Sequence, residues 1–197
     1  MTDDQLQSLV AADFMTLADR LEALPPDRWD VPSLCELWRV REVVAHMTMP
    51  ARYNEEAFMA ELRDCEFDFT RVSNKVASRD AQLPTAELLG NLRDEVLHRW
   101  QPPVGGVQGA LNHVVIHALD VTVPLGEPRC SPDATMRIAL DALTASGGHA
   151  YFGTDIEGLA LEATDIDWSY GAGSPVRGSA ANLALMMCGR NVPVERG

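Results

Sequence analysis

Apolar residues along the first 24 positions fall three or four apart, at Leu6, Val10, Phe14, Leu17, Leu21 and Leu24, which predicts a helix with one buried stripe ended by Pro25 and Pro26. Residues 27–38 hold Pro32, Trp29 and Trp38 without a sustained period and read as a packed loop with aromatic anchors. A second helix is expected from Arg39. Val40, Val43, Val44, Met47, Phe58 and Leu62 keep its spacing, and Pro50 imposes a kink or break near 49. Residues 67–82 are polar and weakly periodic, which suggests a short irregular helix. Leu88, Leu92, Val96 and Trp100 then mark a helix stopping at Pro102 and Pro103.

Residues 104–126 are apolar on nearly every side, as in a helix buried within a bundle, and close at Pro124 and Gly126. Ser131 before Pro132 is placed to cap a further helix running to Ser146, with Gly147 and Gly148 as its stop. Beyond 150 the period changes. GLALEATDIDWSYG alternates as two strands about a turn, and PVRGSAANLALMMCGR reads as a strand leading into a helix. The pattern therefore predicts a mainly α protein with two domains, an up-and-down bundle of four main helices over 1–150 and a small α/β appendage over 151–197.

Composition narrows the function. With 46% apolar and 23% charged residues the 197-residue chain can bury a sizeable core, so disorder is unexpected. Its net charge of -13 repels phosphate backbones and anionic lipid headgroups, which excludes nucleic acid and membrane surfaces as expected partners and leaves a small-molecule substrate. The acidic, polar start MTDDQLQSLV lacks the basic and apolar stretches of a signal peptide, so a cytoplasmic location is expected. Cys35, Cys65, Cys130 and Cys188 stand singly with no CxxC pair and read as reduced thiols filling the core.

Among the five histidines, His113 and His117 lie four apart on a predicted helix, so their rings project about 40° apart and can share an ion. They also share an arc with Asn112 and Asp120, so a solvated helix face explains the spacing equally. His46 sits beside the apolar stripe of another helix, as a metal ligand or as a core histidine bonded to a carbonyl. Three imidazoles from two helices would bind zinc or a similar borderline ion and leave a fourth position open; their rings must then lie within about 8 Å of one another. Protons would compete with that ion near the ordinary histidine value of about 6.5. His98 and His149 have no such constellation and are expected at the surface. Gly-rich phosphate loops, GxSxG elbows and HExxH signatures are absent, so the usual hydrolase and kinase chemistries are not supported.

Trp29, the stretch VPSLCELWRVREVVAHM and the stretch VVIHALDVTVPLG together resemble the mycothiol-dependent maleylpyruvate isomerase-like proteins, a branch of the DinB-like metal-binding four-helix-bundle superfamily. The family's first metal-ligating histidine closes a segment whose places are taken here by Pro32, Ser33, Cys35, Trp38, Val40, Arg41, Glu42 and His46. A later segment supplies two more ligands, at the positions of His113 and His117, followed by Asp120, Pro124, Leu125 and Gly126. The tail from Gly158 resembles the family's C-terminal sterol-carrier-like domain. The family's namesake uses Glu where this chain has His113, so the ligand set implied here is three neutral imidazoles.

The resemblance implies a divalent metal, zinc first and nickel as an alternative, that holds the thiol of mycothiol as a thiolate for isomerisation or S-transfer on a small electrophilic substrate bearing a carboxylate. Asp120 would orient a ligand, against the alternative of a surface charge near the helix end. Arg177 and Arg190 are candidates for a substrate carboxylate, and Arg41 for the same role or for a salt bridge. The alternative from another class is a non-catalytic metal- or ligand-binding sensing module of the same fold.

Overall fold

The computed structural model describes the backbone of residues 1–197 and the side chains of all but residues 146–148 and 151. The chain is mainly helical with a small C-terminal sheet, and it divides into two compact units, Met1–Gly126 and Glu127–Gly197.

In the first unit, α1 spans Asp3–Glu22 and starts with a capping box, in which Gln5 N donates to Thr2 Oγ1 at 3.3 Å and Thr2 N donates to Gln5 Oε1 at 2.9 Å. Its stripe of Val10, Phe14, Leu17 and Leu21 is buried as the spacing requires. A 3-10 turn over Pro26–Asp30 buries Trp29. The second helix, α2 (Val40–Met47), begins where Arg39 N donates to Glu42 Oε2 at 2.8 Å. Pro50 does not kink this helix. It falls in the first turn of a separate one, α3 (Met49–Arg52), where a missing N–H costs nothing.

Next come α4 (Glu55–Asp64) and α5 (Phe69–Asp80), each capped by a side chain, Asn54 and Asp68 respectively. Phe58 and Leu62 of α4 pack on Cys65, Val72 and Val76, and this cluster makes α5 a regular helix where a short irregular one is expected from its polar sequence. The helix expected over 85–100 is two, α6 (Thr85–Leu92) and α7 (Glu95–Arg99), because Asp94 accepts from Val96 N at 2.7 Å and restarts the chain. The buried helix α8 runs over Gly106–Leu125 and closes on Gly126 in the left-handed region at φ 70. Both α1 and α2 pack against α8, and α5 and α6 also pack on α2.

The second unit opens with α9 (Asp133–Thr144), whose N-cap position is Pro132 rather than Ser131. The expected stop at Gly147 and Gly148 lies outside the fully described residues. Strands β1 (Leu159–Ala163), β2 (Ser169–Gly171) and β3 (Ser174–Gly178) precede α10 (Ala180–Met187) and β4 (Glu195–Arg196). The sheet order is β2-β1-β3-β4, with β1 and β3 parallel and both edge pairings antiparallel. Gly173, at φ 138, permits the reversal into β3, since a Cβ there would overlap the Gly158 carbonyl oxygen. Met136, Leu140 and Leu143 of α9 are buried and α9 packs on α10, so this helix belongs with the sheet. The sequence pattern draws the boundary near 150 because one helical stripe looks like another whatever it packs against. Among the described residues no helix is long and apolar enough to cross a membrane.

Candidate metal centre

Burial of Val40, Val43, Val44 and Met47 fixes the rotation of α2, and that rotation turns His46, in its last turn, toward α8. On α8, burial of Leu111, Val114, Val115, Ala118 and Leu119 turns the His113/His117 side of the helix toward α2. Ring centroids lie 5.0 Å apart for His46 and His117, 5.3 Å for His46 and His113, and 4.7 Å for His113 and His117. All three rings thus fall within the separation that a single ion demands, and one donor atom from each lies within 4.8 Å of the others.

The donor set fits a divalent ion on two grounds. His46 Nε2 and His113 Nε2 face one another at 3.4 Å, and two nitrogens bound tetrahedrally at about 2.1 Å stand about 3.4 Å apart. The Nδ1 atoms of both rings are buried with no hydrogen-bond partner among the described residues, so no such hydrogen bond holds either ring in another orientation. Burial and the nearby His117 push His46 down to about 3, and the same causes, with His46 added, hold His113 well below the ordinary histidine range. Both are neutral at pH 7, the form that a metal ligand requires. The proton competition expected near 6.5 is thereby moved lower for these two rings.

Asp120 is fully buried, not a surface charge, because it lies on the packed side of α8 more than a turn before the helix ends. Its Oδ2 stands 3.0 Å from His117 Nδ1, an arrangement that engages that nitrogen and leaves Nε2 as the nitrogen available to an ion. Trp38 packs on His46 at 5.0 Å and Trp100 meets His113 edge-on at 5.3 Å, which walls the cluster with apolar surface. Arg52 stands behind it: its guanidinium donates to Ala45 O at 2.6 Å and to Thr48 Oγ1 at 2.5 Å, and pairs with Asp80 Oδ2 at 3.1 Å, which fixes the end of α2.

Cys35, a core thiol by the sequence pattern, is a neighbour of the cluster. Cys35 is half-buried, and its thiol donates to Asp120 Oδ2 at 3.0 Å and lies 3.7 Å from His117 Nδ1. The signal for it was its place in the family segment ending at His46. Cys65, Cys130 and Cys188 are buried thiols as expected.

The remaining expectations divide. Arg41 lies 3.6 Å from Asp30 Oδ1, as a salt bridge requires. Arg177 belongs to the second unit, on β3, where it pairs with Glu162 at 2.9 Å with both side chains about half exposed. Arg190, in the same unit, donates to Cys188 O at 2.7 Å and lies over the Phe152 ring. His98 and His149, expected at the surface, are both half-buried. His98 is bonded to Leu92 O at 2.9 Å and stacked on Phe14, while His149 Nδ1 bonds Thr154 O at 2.8 Å.

If Asp120 orients His117, then Asp120→Ala is expected to weaken zinc binding by about 10- to 100-fold, the usual loss when the hydrogen-bond partner of a ligand is removed. Competition against a chromophoric chelator measures this; an affinity within twofold of wild type would contradict the role.

A family model described as mycothiol maleylpyruvate isomerase N-terminal domain matches residues 10–123, a span that includes His46, His113, His117 and Asp120. Two solved structures are similar. The crystal structure of a mycothiol-dependent maleylpyruvate isomerase shares 16% identity at a TM-score of 0.65, covering 100% of this chain and 93% of that one. A variant of that enzyme with one histidine changed to alanine shares 16% identity at a TM-score of 0.59, covering 97% and 90%. No curated protein matches.

Proposed function

The chain belongs to the mycothiol maleylpyruvate isomerase N-terminal domain family, and from that premise we propose that it is a metal-dependent enzyme that uses mycothiol to isomerise, or to transfer sulfur to, a small electrophilic substrate bearing a carboxylate. The observation that carries this reading is the convergence of His46, His113 and His117 within the span the family model covers. Zinc suits three imidazoles best, with nickel as the alternative. A divalent ion, when bound, lowers the pKa of a coordinated thiol enough to keep it as a thiolate at neutral pH.

The chain's own residues do the rest. Burial keeps His46 and His113 unprotonated, Asp120 holds the proton of His117 on Nδ1, and Trp38 and Trp100 limit the water around the rings. The thiol sulfur adds to an electrophilic carbon. The C=C π pair moves onto the carbon beside the electron-withdrawing group as an enolate; uptake of a proton there gives the conjugate, and rotation followed by re-formation of the double bond with expulsion of the thiolate gives the isomer. Arg177, with a half-exposed guanidinium shared with Glu162, is the first residue to test for the substrate carboxylate.

An assay with zinc-loaded protein, mycothiol and a panel of activated alkenes tests the proposal. Conjugate or isomerised product is expected from wild type and none from His46→Ala. Saturable binding of mycothiol with no turnover of any electrophile would instead favour the sensing module.

A further inference from the structure

The segment Ser33–Trp38 joins the two halves of the candidate centre. It is folded on itself: Ser33 N donates to Trp38 O at 2.9 Å, Trp38 N to Cys35 O at 3.1 Å, and Cys35 N to Ser33 Oγ at 3.1 Å, while Ser33 Oγ donates to Trp38 O at 2.7 Å. Leu37 closes the loop in the left-handed region at φ 68, a conformation uncommon for a residue other than glycine. At one end of this closed loop Trp38 packs on His46 of α2. The other end grips Asp120 of α8 twice, through Leu34 N to the Asp120 carbonyl at 3.1 Å and through the Cys35 thiol to Oδ2 at 3.0 Å.

Cys35 and His117 therefore both donate to one carboxylate oxygen. A carboxylate held by a single donor can swing about its Cβ–Cγ bond; a second donor from a loop that is itself braced removes that freedom. We propose that Cys35 is a positioning residue of this centre: its S–H holds Asp120 in the rotation that keeps His117 Nδ1 protonated and His117 Nε2 turned toward His46 and His113. The inference rests on the metal reading above. It gives Cys35 a role other than nucleophile or ligand.

Cobalt titration of the full chain, followed by its visible spectrum and by chelator competition, is the test. Cys35→Ala is expected to bind cobalt about tenfold more weakly than wild type, and Cys35→Val, which fills the volume without a donor, to show the same loss. Cys35→Ser, which restores an O–H donor, should stay within about threefold of wild type. In an Asp120→Ala background the cysteine substitution should have no further effect, since the group it positions is gone.

Cobalt affinity unchanged in Cys35→Ala, a Cys35→Ser protein as weak as Cys35→Ala, or additive losses with Asp120→Ala would each overturn the positioning role. So would a sulfur-to-cobalt charge-transfer band in wild type that disappears in Cys35→Ser, because it would make Cys35 a ligand. Failure of the metal reading looks different: His46→Ala would then bind cobalt as wild type does. Binding lost in His46→Ala but indifferent to Cys35 overturns this inference alone.

Discussion

Arg52→Ala is expected to cost about 2–3 kcal/mol of folding stability, a large part of the margin of an ordinary domain. Arg52 and Asp80 are only 12% and 9% exposed, and removing the cation leaves a buried carboxylate whose remaining partners are the Tyr53 hydroxyl at 2.8 Å and the Arg79 guanidinium at 3.0 Å. It also strips donors from Ala45 O and Thr48 Oγ1, so the last turn of α2, which carries His46, loses its anchor. Removing both charges, in Arg52→Met with Asp80→Asn, should recover part of the loss, because the carboxylate left by Arg52→Ala has only the half-exposed Arg79 as its counter-ion. Urea unfolding measures all three proteins; a loss under about 1 kcal/mol in Arg52→Ala would show that the pair is not the anchor.

Acid should unfold the metal-free protein early. His46 and His113 are neutral in the native state far below 6.5, whereas in the unfolded chain each takes up a proton near 6.5. Below 6.5 the unfolded state thus binds more protons, so the stability these groups allow is complete above 6.5 and falls as pH drops toward the native values. Each histidine contributes a slope that reaches about 1.4 kcal/mol per pH unit below 6.5, or about 3 kcal/mol for both between pH 6.5 and 5. The urea midpoint of chelator-treated protein should fall over that range and fall much less in His46→Gln/His113→Gln. A midpoint equally insensitive in both proteins would contradict the burial of neutral rings.

How much of this was legible depends on the separation of the interacting residues. The pairing of His113 with His117 is a local property of helical spacing and could be read directly, and His46 stood out by its place beside an apolar helical stripe and again as the close of the family segment. The contact of Cys35 with Asp120 joins residues 85 apart, and that of Arg52 with Asp80 joins residues 28 apart, which no periodicity encodes. The break between α6 and α7 was hidden because Leu92 and Val96 keep helical spacing across it, while the cap that makes it, Asp94, looks like any charged helix residue. The reverse holds for α5, where only Val72, Val76 and Ala77 are fully buried apolar residues in a polar run, too few to show a period, yet α4 and α2 cover them.

The central claim is that His46, His113 and His117 hold one ion, and the zinc-induced change in melting temperature at pH 7.5 tests it most directly. An ion present at about 100 times its dissociation constant stabilises the native state by about 2.7 kcal/mol, a rise of about 5–10 °C for a chain of this size. Wild type is expected to show that rise, and His46→Ala, His113→Ala and His117→Ala little or none. Equal rises in all four proteins would show that zinc binds elsewhere and that these histidines are not its ligands.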